Sequence, residues 1–360
     1  MAEGAPSTTT DTGAPRPLRL TPAGLTPGYF AGVMATGIVS IGAQLRGFTL
    51  LATALFWAAV VFYVVLVVLT AWRFASHRHH MSDDFHDPAR AFGFFTFIAA
   101  TNVLGAALVG VGQTVVGGVL LAVSVLVWLV LGYVIPWTAV LGSDRRPMLD
   151  TANGTWFIWV VASQSIAVVA ASLEPIYDSM RHELAILAVF AWSVGVVLYA
   201  ATAVFVALRV MLYPLEPKHL DPPYWVAMGA VAITIVAGAR IVEMKDAPMI
   251  DVTRDLVAGM SVVFWAFATW LIPVLLAAGV WRHGLHRIPL VYQPTLWSMV
   301  FPFGMYAVAG MYLGRANQLP VVEAVGASWF WVALFTWAAV AVGMLRSVVR
   351  VLTSRPTAAG

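Results

Sequence analysis

Long, unbroken apolar runs are the feature that most restricts how this chain can fold. A helix needs about 20 apolar residues to cross the hydrocarbon core of a bilayer, and ten runs in the sequence reach roughly that length. The runs do not alternate between apolar and polar residues as the strands of a membrane barrel do. Because the chain is 61% hydrophobic and 10% charged, lipid is predicted to surround most of it. The sequence therefore predicts an all-α polytopic membrane protein.

The ten predicted spans form five pairs, in which a shorter span with polar residues precedes a longer, more apolar one. The shorter spans begin alike, as in PGYFAGVMATGIVS from residue 27, NGTWFIWVVASQS from residue 153 and QPTLWSMVFPFG from residue 293. This internal repeat makes one helical hairpin the unit, and five hairpins predict a pseudo-five-fold ring around a central pore. The predicted spans are 27–45, 49–73, 91–112, 114–142, 153–172, 183–211, 223–243, 253–281, 293–314 and 324–349.

The rest of the chain is predicted to form two short tails. Residues 1–22 are rich in Pro, Thr, Gly and Ala and are predicted to be a disordered cytosolic tail, followed by a transmembrane domain over 23–352 and a cytosolic tail over 353–360. Fourteen Lys and Arg residues lie on the side of the two termini and six lie on the opposite side. The positive-inside rule then predicts a multi-pass protein of the plasma membrane with both termini in the cytoplasm.

Polar and small residues concentrate in the shorter spans, whereas the longer spans are mainly Val, Leu, Ala and Trp. Since polar side chains avoid lipid, the shorter spans are predicted to face the axis and these residues to line the pore. The alternative is that small residues only let neighbouring helices pack closely. The predicted pore-lining residues are Thr36, Gly37, Ser40, Thr101, Asn102, Ser163, Gln164, Gly229 and Gly304.

Ionisable residues avoid the middle of every predicted span, including all eight histidines. The metal ligands or the nucleophile and base of a membrane enzyme cannot be assembled at that depth. Intramembrane proton relays are missing as well, which favours a passive channel or uniporter without a cofactor. The His and Asp residues of the connection HRHHMSDDFHDPAR at 77–90 could bind a metal. Their spacing is not diagnostic of a metal site, so a solvated loop is the alternative. A net charge of +3 spread along the chain argues against a nucleic-acid partner.

Three arginines follow three of the shorter spans on the predicted outer side. Arg46, Arg240 and Arg315 are predicted to draw anions toward the mouth of the pore. The alternative is ordinary snorkelling of long side chains at the membrane surface, and Arg240 with Glu243 also has the spacing of a helical ion pair.

A proline interrupts the apolar stretch LWSMVFPFGMY at residues 296–306. Pro302 removes a helical hydrogen bond and is predicted to bend or interrupt the ninth span. The bend would aim the ring of Phe301 at the axis as an apolar plug, so Phe301 and Pro302 are the candidate gate. A proline that serves only packing is the alternative.

The stretches GYFAGVMATGIVS, GTWFIWVVASQS and WSMVFPFGMY resemble the tellurite-resistance/dicarboxylate transporter family over nearly all of residues 25–350. This family includes the slow-type anion channels of plants and malate and sulfite transporters of fungi. The resemblance implies a homotrimer in the lipid bilayer, with five inner and five outer helices per protomer. It also implies a pore closed by a phenylalanine of the ninth helix, which Phe301 matches.

The same resemblance implies a small anionic substrate but does not select one. Chloride, nitrate, sulfite and C4-dicarboxylates such as malate are all carried within the family. A proton-coupled dicarboxylate carrier and a sulfite or tellurite-resistance efflux protein are therefore alternatives to a channel. A membrane enzyme or an assembly scaffold is a further alternative, for which the chain offers neither a reactive constellation nor a large soluble domain.

Overall fold

The structure is a computed structural model that describes residues 24–142, 147–245 and 248–353. Over these residues the chain is helical and contains no strand. Ten helices are long and apolar enough to cross a membrane, which confirms the ten predicted spans. The α-helices are α1 (Ala31–Leu45), α2 (Thr49–Ser76), α3 (Arg78–His86), α4 (Phe95–Gly110), α5 (Thr114–Ile135), α6 (Phe157–Leu173), α7 (Arg181–Leu212), α8 (Val226–Val242), α9 (Pro248–Val280), α10 (Trp297–Ala316) and α11 (Pro320–Thr353).

Burial divides the spans into two classes. The spans that contain α1, α4, α6, α8 and α10, here called the inner helices, have 67 to 89% of their most apolar window buried. The spans that contain α2, α5, α7, α9 and α11, here called the outer helices, have 11 to 39% buried. Apolar side chains left exposed on a helix of this length suit a lipid-facing position. The shorter spans are thus the buried ones, as their polar residues predict.

Two of the hairpins close through a glycine. The turn at residues 46–48 joins α1 to α2 with Gly47 at φ 80°, and the turn at residues 111–113 joins α4 to α5 with Gly112 at φ 84°. Positive φ is costly for residues that carry a Cβ, so glycine permits these short connections. α1 and α4 are therefore each followed directly by their outer partners, α2 and α5.

The inner helices pack in a closed cycle. Contacts run from α1 to α4, α4 to α6, α6 to α8, α8 to α10, and from α10 back to α1. Each inner helix is preceded by a 3-10 turn, and these five turns also contact one another in the same cyclic order. A five-fold rotation that relates the hairpins stays a prediction. The five turns, here called the N-terminal turns, are Pro27–Phe30, Ala91–Phe94, Gly154–Trp156, Pro222–Trp225 and Pro294–Leu296.

Hydrogen bonds join each inner helix to the outer helix of the preceding hairpin. In each of the five cases an indole or phenol of one helix meets an oxygen of the other. Such bonds satisfy polar groups that would otherwise be stranded in an apolar interior. The five pairs are Trp337 with Thr36 (3.1 Å), Tyr63 with Thr101 (2.8 Å), Trp128 with Ser163 (2.9 Å), Trp192 with the Thr234 carbonyl (3.2 Å) and Tyr306 with Thr269 (2.7 Å).

The connection at residues 77–90 folds around one buried carboxylate. Asp84 lies 2.6 Å from an Arg73 nitrogen and 3.2 Å from an Arg90 nitrogen, and its side chain is almost fully buried. Within the described ranges no three potential metal ligands converge here or elsewhere. The tails predicted over 1–22 and 353–360 lie outside the described residues, except that α11 ends at Thr353.

Candidate functional site

A cavity of about 900 Å³ lies among the C-terminal halves of all five inner helices. Residues of α2 border it on one side. We call this end of the molecule the cavity end and the end with the N-terminal turns the turn end. Each inner helix lines the cavity, and one lining residue from each is Ile38, Asn102, Ser165, Ile233 and Met305. The volume is in the range of known small-molecule sites.

Polar side chains from three adjacent inner helices line the cavity, among them Ser40, Asn102 and Ser165. Ser40 donates to the carbonyl of Ala52 at 2.7 Å, and Asn102 donates from Nδ2 to Ser165 Oγ at 3.0 Å. Asn102 Oδ1 is buried and has no hydrogen-bond partner within the described residues. The cavity wall therefore holds an amide whose hydrogen-bonding capacity is only partly used.

One face of α10 runs from the cavity toward the turn end, where its side chains are buried. Met305, Val308 and Tyr312 line the cavity, and Phe301 lies one helical turn before Met305 on the same face. Phe301 is 1% exposed and does not border the cavity. The cavity therefore ends beside the turn of α10 that carries the predicted plug.

Pro302 does not interrupt α10, which continues through it from Trp297 to Ala316. The predicted interruption is therefore wrong, whereas the alternative of a bend at Pro302 stays a prediction. The pyrrolidine ring packs against α8. A Cβ added to Gly229 would lie 2.9 Å from Pro302 Cγ, so only a glycine allows this approach. The neighbouring Phe303 points elsewhere, with its ring centroid 4.8 Å from that of Trp225 and 5.9 Å from that of Trp329.

Most of the predicted pore-lining residues lie against neighbouring helices, not at the cavity. Ser40 and Asn102 are the two members of that set that line it. Thr36, Thr101 and Ser163 are bonded to outer helices as described above, and Gln164 Nε2 donates to the Trp192 carbonyl at 3.1 Å. Added Cβ atoms at Gly37 and Gly304 would meet Val103 and Ile38 of adjacent inner helices, each at 2.6 Å. For these glycines the close-packing alternative describes the contact found.

Arg240 is the one predicted mouth arginine that lines the cavity. Its Nη1 donates to Glu243 Oε2 at 2.8 Å, and its guanidinium carbon lies 4.1 Å from the centroid of the Tyr312 ring. Glu243 and Tyr312 border the same cavity. The sequence pattern identified Glu243 only as an ion-pair partner and missed Tyr312, although the spacing from Phe301 along one face of α10 could have indicated it.

The other two mouth arginines lie outside the cavity lining. Arg315 Nε donates to Glu323 Oε1 at 2.8 Å, and its Nη2 donates to the Leu45 carbonyl at 3.3 Å. Arg46 is exposed after the end of α1. All three arginines therefore stand at the cavity end, and two of them are paired with a carboxylate that reduces their positive potential.

One carboxyl group at the turn end has a pKa above its usual range. Asp221 immediately precedes the turn Pro222–Trp225, and burial raises its pKa to about 7, although the nearby Arg282 guanidinium acts in the opposite direction. The Arg282 side chain is itself held by the carbonyls of Lys218 (3.3 Å) and Leu220 (2.7 Å). A carboxyl with this pKa changes its charge near neutral pH.

In the part of the chain that the structure describes, ten apolar helices with a cavity among the five buried ones define a polytopic membrane protein. The chain belongs to the voltage-dependent anion channel family, whose pattern matches residues 24–345. A membrane protein of Mycobacterium tuberculosis is 60% identical over 148 residues, which cover 41% of this chain and 75% of that protein. A transporter of Methanocaldococcus jannaschii is 22% identical over 316 residues, which cover 86% of this chain and 90% of that protein. The family points to anion transport across the membrane, and the relative from Methanocaldococcus jannaschii agrees with a transporter rather than an enzyme.

Proposed function

We propose that the chain conducts small anions passively along the axis enclosed by the inner helices, with Phe301 as the gate. The observation that carries this proposal is the cavity, which all five inner helices line and which ends one turn of α10 from Phe301. An apolar ring at the end of a water-accessible cavity resists wetting, so it impedes a hydrated ion. The cavity end is proposed to face the cell exterior and the turn end the cytoplasm.

The assembly that we propose rests on family membership, and the location and topology rest on the distribution of Lys and Arg. The chain is proposed to form a homotrimer in the plasma membrane, with both termini in the cytoplasm. The exposed apolar side chains of the outer helices supply surface for contact with lipid and with other protomers.

Flux of anions into proteoliposomes that contain the purified chain tests the proposed function. The panel is chloride, nitrate, sulfite, malate and succinate, each measured with and without a pH gradient. Because about 900 Å³ also has room for a C4-dicarboxylate, uptake of malate or succinate without chloride or nitrate flux would favour the dicarboxylate carrier. Absence of flux for every anion would overturn the proposal.

A pH gradient alone is expected not to drive concentrative uptake of chloride or nitrate. Among the described residues that line the cavity, Glu243 is the one carboxylate, and it is paired with Arg240. These two anions stay unprotonated, so they avoid the crossing of neutral acid that would imitate coupling with sulfite or malate. Accumulation of either anion against its gradient would contradict the expectation. Asp221→Asn is the control for a pH effect on rate: if the flux rate varies with pH without accumulation and this variant abolishes the variation, the effect arises from the carboxyl at the turn end.

Replacement of Arg46, Arg240 and Arg315 together by Gln is expected to lower flux more at low than at high ionic strength. The three charges stand at the cavity end, and the Debye length falls from about 30 Å at 0.01 M to about 3 Å at 1 M salt. Attraction of anions by exposed charge therefore fades as salt rises. Conductance at both ionic strengths is the measurement, and an equal loss at the two would indicate a folding defect instead.

A further inference from the structure

The pair formed by Arg240 and Glu243 is the only set of charged side chains among the described residues that line the cavity. Arg240 lies in the last turn of α8, where the helix dipole stabilises a positive charge. The side chains of Arg240 and Glu243 are 29% and 39% exposed, so both are accessible from the cavity yet partly shielded. A cation held this way is a candidate contact for an anion that enters.

The segment that carries this pair is fixed from two sides. Glu174, which is fully buried at the end of α6, accepts a hydrogen bond from the Lys245 amide at 3.0 Å. Arg254 of α9 donates to the carbonyls of Val242 and Met244. Buried, charge-assisted hydrogen bonds of this kind hold a backbone segment in one conformation. The pair is therefore positioned before any ligand arrives.

The guanidinium of Arg240 is oriented by Tyr312. Its carbon lies 4.1 Å from the ring centroid, a distance at which the cation contacts the face of the ring. Arginine has five N–H donors in a planar fork that matches two coplanar oxygens, and Glu243 takes one of them at 2.8 Å. The carboxylate of Glu243 thus occupies one of the donors that a small planar oxoanion would use.

We propose that Arg240 binds the transported anion in the cavity and that Glu243 competes with that anion as a tethered carboxylate. This inference rests on the proposed function and names its substrate class: small planar oxoanions, such as nitrate or a carboxylate, which Arg240 holds better than a spherical halide. Entry of the anion displaces Glu243 from the guanidinium, and departure of the anion restores the pair. The competition keeps binding weak enough for release, which conduction requires.

Two variants test the two halves of this inference in proteoliposomes of the full chain, with nitrate and chloride as probes. Glu243→Gln removes the competitor and is expected to lower the half-saturating nitrate concentration by about two- to fivefold, the range for a partly exposed ion pair. Arg240→Lys keeps the charge but loses the planar fork, so the ratio of nitrate to chloride flux is expected to fall by roughly threefold or more.

Asp87 and Arg90 provide the matched control. They form a pair with the same spacing of three residues, Arg90 Nε lying 3.3 Å from Asp87 Oδ2, but they stand at the turn end and do not line the cavity. Arg90→Lys and Asp87→Asn are expected to leave both the half-saturating concentration and the flux ratio unchanged. If Arg240→Lys and Arg90→Lys give the same ratio, or if Glu243→Gln leaves the nitrate dependence as in the unmodified chain, the inference is overturned. If the unmodified chain shows no flux of any anion, the proposed function itself is overturned instead.

Discussion

Phe301→Ala is expected to raise anion flux per folded protein by about tenfold or more, which corresponds to a barrier lowered by about 1.4 kcal/mol. Phe301 lies on the face of α10 that lines the cavity, one turn beyond the last lining residue, Met305. Removal of the ring widens and hydrates an apolar constriction, so an ion loses less of its hydration on passing. Flux in proteoliposomes, divided by the amount of monodisperse protein incorporated, is the measurement.

Phe303→Ala is the internal control for this expectation. The Phe303 ring packs edge-on against Trp225 and Trp329 and lies outside the cavity face, so its loss should weaken packing without opening a path. Removal of a buried phenylalanine costs about 3 to 5 kcal/mol when the ring serves packing alone. Equal flux per folded molecule for both variants would show that Phe301 is a packing residue and that the gate lies elsewhere.

Gly154→Ala is expected to destabilise the folded protein by about 3 kcal/mol, the upper end of ordinary overpacking costs. The added Cβ would lie 2.1 Å from the Pro223 carbonyl oxygen and 2.4 Å from the Tyr224 amide nitrogen. Both atoms belong to the backbone of the next N-terminal turn, which cannot rotate away as a side chain can. A lower melting temperature in detergent and a smaller yield of monodisperse protein are the expected readouts.

Gly28→Ala is the matched control, because Gly28 occupies the N-terminal turn of the first hairpin. An added Cβ there meets nothing within 4 Å, so the melting temperature should stay close to that of the unmodified chain. If Gly154→Ala melts at the same temperature as Gly28→Ala, the turn that contains Gly154 does not approach the turn Pro222–Trp225 as closely as in the structure.

The sequence predicted the spans well because length and hydropathy alone decide them. All ten spans in the described residues begin within five residues of the predicted start, and the largest differences are at the outer spans that begin at Asp178 and Pro248. The division into inner and outer helices was also readable, since polar residues avoid the lipid-facing members of each pair.

Which way each inner helix faces was not readable from the sequence. An inner helix is buried on all sides, so it shows no single apolar stripe that would reveal its orientation. Thr36, Thr101 and Ser163 recur at matching places, and that recurrence suggested the axis. The structure gives a different reason for it: each hydroxyl meets an indole or a phenol of the preceding hairpin.

Side-chain geometry at the helix ends was equally beyond the sequence pattern. Arg46, Arg240 and Arg315 all lie at the C-terminal ends of inner helices, yet only Arg240 among them lines the cavity. Arg240 lies on the side of α8 that faces the cavity, where Tyr312 of α10 contacts its guanidinium. Both positions depend on how α8 packs against α10. The face of α10 that carries the candidate gate could be read from the sequence. Its members have helical spacing: Phe301, Met305, Val308 and Tyr312.

The hydrogen bond between Trp337 and Thr36 imposes an order on biosynthesis. The other four bonds of its kind join residues 35 to 42 positions apart, whereas this one joins residues 301 positions apart. At about 5–20 residues per second, a ribosome needs roughly 15 to 60 s between the two residues. Throughout that interval the first hairpin sits in the bilayer with the surface that α10 and α11 will later cover still open to lipid. Insertion of the last hairpin is therefore the step that closes the cycle of contacts among the inner helices.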